Sequence, residues 1–307
     1  TISAGAAEFD TERDSFNDLL KNAKFSLHAA KLNGKNRCEI FDSVNYIEYI
    51  KKLGIQDELR RCISEGFEGF ELYFQPIYNP HNDKLSGAEA LIRWNSSKYG
   101  FMGPDKFIPL LEESALIIPL GRWIIDTAAK ACNRWIPDFV MHINLSFVQI
   151  VKSNIIKDVL EYIGKYSAAN NHYVFEITET IEMDRIPAVE RVFKEFIKND
   201  FRLAIDDFGT GYSNYGYMRD KTFDIVKVDR SFITDIDKRK NNYLMVSFII
   251  KMAHEMGLHV CIEGVETKEE LSCVRELGAD YIQGYYYGKP VCVADFEEQH
   301  LKKLILG

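Results

Sequence analysis

No Cys-x-x-Cys pair occurs anywhere in the 307 residues, and the six cysteines (Cys38, Cys62, Cys132, Cys261, Cys273 and Cys292) are scattered. That spacing excludes a cysteine-rich zinc site. In a chain this long it reads as a reducing compartment, with thiols used as small core residues. Histidine is scarce and dispersed as well. The nearest approach to a zinc-protease helix is His254-Glu255-Met256-Gly257-Leu258-His259. Its histidines stand five apart, which turns them away from each other on a helix, and Gly257 is expected to end that helix. No apolar run approaches the roughly 20 residues of a membrane helix. The opening Thr1-Ile2-Ser3-Ala4-Gly5 lacks the basic and apolar regions of a secretory signal, so a cytoplasmic location is expected. Positive charge is also short: 38 basic residues against 46 acidic leave a net charge of −8. Without clustered Lys and Arg, polymeric nucleic acid is excluded as a partner. A small phosphate ligand stays open provided that a metal supplies the positive charge.

Several nucleotide motifs are missing or incomplete. There is no G-x-x-x-x-G-K-[ST] loop, and Gly209-Thr210-Gly211 lacks the third glycine of a dinucleotide fingerprint. Asp207-Phe208-Gly209 spells the kinase metal triplet, but no glycine-rich loop or His-Arg-Asp segment accompanies it. The tyrosines of Gly284-Tyr285-Tyr286-Tyr287-Gly288 read as core and rim packing.

What the chain does contain is an ordinary globular balance, 46% hydrophobic and 27% charged, long enough for one large domain or a domain with an appendage. From residue 70 onward short apolar runs alternate with amphipathic stretches. Strands are expected over 71–77, 85–94, 139–145, 173–178, 202–206, 224–228, 259–263 and 281–283. Helices are expected over 104–115, 122–135, 147–163, 186–198, 242–256, 268–277 and 294–304. Near-continuous apolar strands separated by single helices indicate a parallel sheet covered on both faces, and eight of them fit a closed (β/α)8 barrel. The first two strands are joined by the short turn Asn79-Pro80-His81-Asn82-Asp83, so one barrel strand is expected to run antiparallel. The start of the chain differs. A strand over 1–6 and a helix over 15–31 ending at Asn33-Gly34 cannot bury their apolar faces alone, and read as the end of another domain. A helical stretch over 44–67 leads into the barrel.

Barrel active sites lie at the C-terminal strand ends. Nearly every expected strand carries a charged or amide residue there: Glu89, Asn144, Glu176, Asp206-Asp207, Lys227, Glu263 and Gln283. A single strand-end carboxylate is ordinarily a helix cap or an ion-pair partner. Five carboxylates and an amide converging with one Lys leave excess negative charge, which hard divalent cations would offset. All-oxygen ligation favours Mg2+ or Mn2+.

In this order the motifs resemble a known family. Residues 57–307 resemble the EAL domain, the cyclic di-GMP-specific phosphodiesterase of bacterial signalling. The resemblance is carried by Gln75-Pro76-Ile77, Glu89-Ala90-Leu91-Ile92-Arg93-Trp94, Asn144-Leu145-Ser146, Glu176-Ile177-Thr178-Glu179 and Asp206-Asp207-Phe208-Gly209-Thr210-Gly211-Tyr212-Ser213. It continues through Lys227-Val228-Asp229-Arg230, Glu263-Gly264-Val265-Glu266 and Gln283-Gly284-Tyr285. It implies a modified barrel with one antiparallel strand, and two ions of Mg2+ or Mn2+ with Ca2+ inhibitory. It also implies hydrolysis of cyclic di-GMP to linear pGpG and a homodimer formed through this domain. Glu89, Asn144, Glu176 and Asp206 are implied as ligands of one ion, with Asp206 and Asp207 contributing to a second. Glu263 would act on metal-bound water, Lys227 would hold the attacking water or the developing charge, and Gln283 would orient that water. Arg93 resembles a phosphate contact, Gln75 and Glu112 resemble guanine contacts, and Glu179 resembles the anchor of the loop after Asp207. Ala115 stands where glycine is usual, and Asn214-Tyr215 where Ser-Leu often follows.

Residues 1–42 resemble the end of a GGDEF (diguanylate cyclase) domain, through Thr1-Ile2-Ser3-Ala4-Gly5, Leu19-Leu20-Lys21-Asn22-Ala23 and Ala30-Lys31-Leu32-Asn33-Gly34. Residues 43–56 then form a linker helix, and upstream regulatory domains would be missing from this chain. Two other readings stay open. One is a catalytically silent cyclic di-GMP receptor or protein-interaction module. The other is a metal-dependent barrel enzyme acting on a carbonyl or enolate.

Overall fold

The computed structural model describes residues 1–8, 15–135, 139–179, 187–210 and 222–302. Two compact units divide the chain, Thr1–Arg61 and Cys62–Gly307.

In the first unit, strand β1 (Ala4–Ala6) pairs in parallel with β2 (Cys38–Ile40) beside helix α1 (Phe16–Leu32). The second strand was not expected from sequence, because three residues, Cys-Glu-Ile, give no readable alternation. Ser15 caps α1 reciprocally with Asp18, which satisfies free amide donors of the first turn. Gly5 is required by contact: a Cβ there would lie 2.1 Å from the Leu27 amide nitrogen. Helix α2 (Ser43–Ser64) supplies Tyr46 and Tyr49, whose rings pack 5.2 Å from Phe25 on α1.

The second unit is built on a ten-stranded sheet. In chain order its strands are β3 (Phe70–Asn79), β4 (Lys84–Ser96), β5 (Gly100–Met102), β6 (Val140–Asn144), β7 (Tyr173–Thr178), β8 (Arg202–Phe208), β9 (Ile225–Val228), β10 (His259–Glu263), β11 (Tyr281–Gln283) and β12 (Val291–Cys292). Leaving out the short β5 and β12, eight strands close into a barrel through the β3–β4 pairing. Strand β3 runs antiparallel to both neighbours, β4 and β11, while the remaining pairs are parallel. The hairpin reading of residues 79–83 therefore holds, and each of the eight expected strands is present.

The helices are α3 (Pro104–Glu113), α4 (Ile117–Cys132), α5 (Phe147–Lys152), α6 (Ile155–Ile163), α7 (Pro187–Lys198), α8 (Lys240–Glu255), α9 (Lys268–Leu277) and α10 (Val293–Phe296), the last followed by a π-helical turn, Glu297–Leu301. Three differ from expectation. The single helix expected over 147–163 is broken at Ser153 and Asn154, where the Asn154 side chain accepts the Lys157 amide and starts a new helix. Helix α4 begins five residues earlier than expected. Helix α3 ends at Glu113 because Ala115 adopts a left-handed φ of 56°, a strained conformation for any residue with a Cβ. Residue 186 and the expected end of the last helix, 303–304, lie outside the described residues.

Side chains alternate between the two faces of each strand, so every second residue enters the barrel. One interior layer is apolar: Ile77, Val174, Ala204, Ile225 and Cys261 form a buried cluster, with Val140 and Tyr281 packed against it. Two residues further toward the C-terminal ends of the parallel strands, the interior becomes polar.

Candidate active site

That polar layer is what the two-residue period brings together. Glu176 stands two beyond Val174, Asp206 two beyond Ala204, Lys227 two beyond Ile225 and Glu263 two beyond Cys261. The register aligns them: Gln75 opposite Glu89, Asn144 opposite Glu176, and Glu263 opposite Gln283. Asp207 departs from the period, since consecutive strand residues face opposite ways. The β8–β9 register shifts between Ile205 and Phe208, and Asp207 takes a φ of 55°. That irregularity lets Asp206 and Asp207 line one cavity.

Lys227 is the centre of the cluster. It is fully buried, with its Nζ 2.7 Å from Glu176, 2.8 Å from Glu263, 3.1 Å from Asp206 and 3.3 Å from Glu89. Burial disfavours its charged form, but the surrounding carboxylates outweigh burial and raise its pKa well above the ordinary lysine value. Glu89 is drawn the other way, to about 2. Burial pushes it up and is overcome by Lys227 together with hydrogen bonds from Gln283 (2.6 Å) and Asn144 (2.6 Å). Glu176 is raised well above the usual range by burial and the charge of Glu89, and Glu263 is raised to about 8 by burial, with Asp206 and Glu89 adding to it against the pull of Lys227. Asp207 rises through burial and the charge of Asp206. One ammonium thus leaves part of the negative charge of five carboxyls uncompensated, and the cluster answers by holding protons.

The donor set fits hard divalent cations. Oxygens of Asp206, Asp207 and Glu263 lie within 4.8 Å of one another, the one such group among the described residues. Glu89, Glu176 and Asp206, grouped in the sequence reading around one ion, also converge on Lys227. The buried Gln283 Oε1 has no hydrogen-bond donor among the described residues, and Asp206 Oδ1 meets only the Lys227 ammonium at 3.1 Å, so acceptor capacity remains for cations.

A cavity of about 300 Å3 opens over this cluster, lined by Gln75, Glu89, Asp206, Asp207, Glu263 and Gln283 among others. Gln75 accepts from Gln283 Nε2 at 3.0 Å and donates to the Gly288 carbonyl at 3.3 Å. Glu112 lies apart, in an adjoining and more apolar cavity of about 480 Å3 that shares Glu89 and Leu91 with the first and reaches Asn144. There it accepts a 2.6 Å hydrogen bond from the Ser146 hydroxyl. Arg93 is half-buried beside the cluster, its guanidinium 5.5 Å from the Tyr73 ring, donating to the Ile92 carbonyl at 2.9 Å. Glu179 is buried. Its amide donates to the Asp206 carbonyl (3.0 Å), and its carboxylate accepts the Gly209 amide (2.7 Å). Gly209 has a φ of 97°, which needs glycine, and a Cβ there would strike the Phe232 ring at 2.6 Å. The rest of that loop, Gly211-Tyr212-Ser213 with Asn214-Tyr215, lies outside the described residues.

Sequence reasoning assigned no role to several neighbours. Asp229, Arg230, Glu266 and Tyr285 line the first cavity. His142, buried two residues before Asn144, places its Nδ1 2.7 Å from Glu176 Oε1, and burial and Lys227 push its pKa down to about 3, so the ring is neutral. The two-residue period would have found both His142 and Asp229, as inward positions on β6 and just past β9.

Comparison with known proteins agrees with this geometry. Residues 56–290 match the EAL domain family. The chain is 30% identical to the cyclic di-GMP phosphodiesterase NbdA of Pseudomonas aeruginosa, over 97% of this chain and 38% of that protein. It is 28% identical to the bifunctional diguanylate cyclase/cyclic di-GMP phosphodiesterase MucR of the same organism, over 95% of this chain and 43% of that protein. The chain therefore spans less than half the length of these relatives. Among solved structures, the EAL enzyme Bd1971 in its cAMP- and cyclic-di-GMP-bound form superposes with a TM-score of 0.78 at 30% identity, covering 93% of this chain and 76% of that one.

Proposed function

This chain belongs to the EAL domain family, and from that premise we propose that its barrel hydrolyses cyclic di-GMP to linear pGpG with two divalent cations, Mg2+ or Mn2+. The observation that carries the reading is the buried Lys227 held among four carboxylates beneath the cavity, with Asp207 turned in beside them. Asp206, Asp207 and Glu263, with Glu89, Asn144 and Glu176, are the residues that would hold the ions. Such ions, when bound, supply a nucleophile at neutral pH and neutralise charge on the phosphoryl oxygens.

The chain's own groups account for the remaining chemistry. Water attacks phosphorus, a P–O bond forms, one proton leaves the water, and the ester P–O bond breaks, its oxygen taking up a proton to leave as a free ribose hydroxyl. Glu263, whose side chain lines the cavity, would act on the attacking water by taking that proton once a bound cation has ionised it. Lys227, itself fully buried, carries a fixed positive charge that would oppose the charge developing on phosphorus. Gln283, tied to Gln75 and Glu89, presents its unpartnered oxygen to orient the water. Gln75 and Glu112 would contact the guanines, and Arg93 a phosphate. Glu179 holds Gly209, and with it the backbone that sets Asp207.

The reading extends to the flanks. Residues 1–42 are taken as the end of a GGDEF-like domain joined by a linker helix over 43–56, supported by the MucR match running through this segment. A homodimer through the barrel is supported by the exposed Leu244, Met245 and Phe248 on α8. A cytoplasmic location is supported by six free thiols; among the described residues no helix is long and apolar enough to cross a membrane.

The test is incubation of the purified chain with cyclic di-GMP, followed by chromatography. pGpG is expected with Mg2+ or Mn2+, none in EDTA, and little with Ca2+, whose looser coordination misplaces the reacting groups. Binding without pGpG under every metal condition would make the chain a receptor. Undiminished hydrolysis in EDTA would remove the cations from the mechanism.

A further inference from the structure

The opposite mouth of the barrel, at the N-terminal ends of its parallel strands, holds a separate cavity of about 320 Å3. Its polar lining comprises Asn79, Asn82, Lys84, His142, Arg202 and Tyr281, with Ser86 at one side, and no carboxylate lines it. Arg202 opens β8 with its Nε buried and without a hydrogen-bond partner, and its guanidinium forms no ion pair among the described residues. Carboxylates that flank the lining residues in the chain have partners of their own. Asp224 accepts the Leu203 amide (2.9 Å), Asp280 accepts the Val260 amide (2.7 Å) and pairs with His254 (2.9 Å), and Asp83 pairs with Arg275 and Tyr287.

The two asparagines are oriented by their own turn. Asn79 Oδ1 accepts the His81 amide and Asn82 Oδ1 accepts the Lys84 amide, each at 2.9 Å. These bonds fix which way each amide faces, and the Nδ2 groups remain as donors. A guanidinium, an ammonium, two amide NH2 groups and a phenol therefore line one concavity, while a neutral His142 forms its inner end. A partly buried cation without a counter-ion is costly, and a lining that holds two cationic side chains and, among the described residues, no carboxylate is complementary to an anion.

We propose that this mouth binds a small phosphate dianion, free or as a monoester. Two cationic side chains match two negative charges, and the guanidinium fork suits a phosphate's paired oxygens. The volume lies at the lower end of small-molecule sites and accommodates an ester's small organic body. The proposal uses no property of the opposite mouth and stands or falls apart from the phosphodiesterase reading.

The experiment is isothermal titration of the full chain in EDTA at about pH 8, where phosphate is doubly charged, with ionic strength held constant by chloride. The titrants are inorganic phosphate, glycerol phosphate and acetate. Saturable binding of phosphate or its ester is expected, with acetate at least roughly tenfold weaker, and the two phosphate arms show whether the ester body adds affinity. Arg202→Gln is expected to weaken phosphate at least roughly tenfold, the scale of one charge-assisted contact. Lys84, whose side chain is exposed, gives a second variant that leaves folding untouched, and Lys84→Gln is expected to weaken binding in the same direction. Absence of saturable binding to the wild-type chain would overturn the proposal. So would equal affinity in wild type and Lys84→Gln, together with a folded Arg202→Gln that binds normally, which would place the phosphate in the opposite mouth.

Discussion

Replacing Lys227 by methionine isolates the electrostatics on which the site is built. Methionine keeps the length and apolar stem but removes the charge, leaving Glu89, Glu176, Asp206 and Glu263 facing one another around an uncharged thioether. These carboxylates lie 2.7–3.3 Å from the lost ammonium, and Lys227 is fully buried. Breaking a buried ion pair from one side costs about 3–5 kcal/mol. In a domain of this size 1 kcal/mol moves the melting temperature by roughly 2–4 °C, so a fall of roughly 6–20 °C is expected in EDTA near neutral pH. The cost depends on pH with a definite sign. Carboxyls whose folded pKa is raised above the unfolded value are stable when protonated, so the deficit is small below about pH 4 and grows as pH rises through their folded values. Melting by circular dichroism at pH 5 and pH 8 is expected to show the larger deficit at pH 8. Saturating Mn2+ is expected to restore much of it, by binding the native state alone. Turnover at saturating metal is expected to fall by roughly 100-fold or more while cyclic di-GMP binding persists, because the charge matters most in the transition state. A variant as stable as wild type at pH 8 in EDTA would refute the account of Lys227 as the neutraliser of this cluster. Turnover within a few-fold of wild type would refute its role in the chemistry.

Glu263, raised to about 8 from an ordinary 4.5, must give up its proton to hold a cation. Apparent Mn2+ affinity is therefore expected to rise by roughly tenfold or more per pH unit up to about pH 8, with at least one proton released, counted by titration calorimetry in buffers of different ionisation enthalpy. The same raised pKa means that the metal-free barrel loses stability as pH rises from about 4.5 to 8, checked by melting curves in EDTA. Glu179→Ala removes the acceptor for the Gly209 amide; it is expected to depress turnover and raise the Mg2+ needed for half-activity, with partial recovery at excess metal, whereas Asp207→Ala is expected to show no recovery at moderate metal. With Glu176 ionised, its 2.7 Å contact with His142 requires the Nδ1–H tautomer. His142→Leu is expected to weaken Mn2+ binding about 10–100-fold, and His142→Asn, which keeps a donor near that point, to recover most of it.

The sequence by itself determined the barrel and the membership of its polar layer. Seven of the eight apolar runs carry a charged or amide residue within or near the same end, and that pattern survives into the structure because period-2 alternation carries side chains to one interior wherever the strands are paired in register. The antiparallel strand was legible too, in a connection too short for a crossover. What the tertiary structure decided was how those residues are arranged. Lys227 was readable as a lone cation on the rim, but its position as the shared partner of four carboxylates depends on the radius and stagger of the closed barrel, which no local pattern encodes. Asp207 enters the cavity only through a register shift against β9, and a one-residue irregularity leaves no periodic signal. The break at Ser153 and Asn154 and the left-handed turn at Ala115 arise from capping and chain-path demands that override helical periodicity. The two-residue period makes His142 legible as an inward position, but its bond to Glu176, like the unpartnered Nε of Arg202, is decided only when the neighbouring strands close around it.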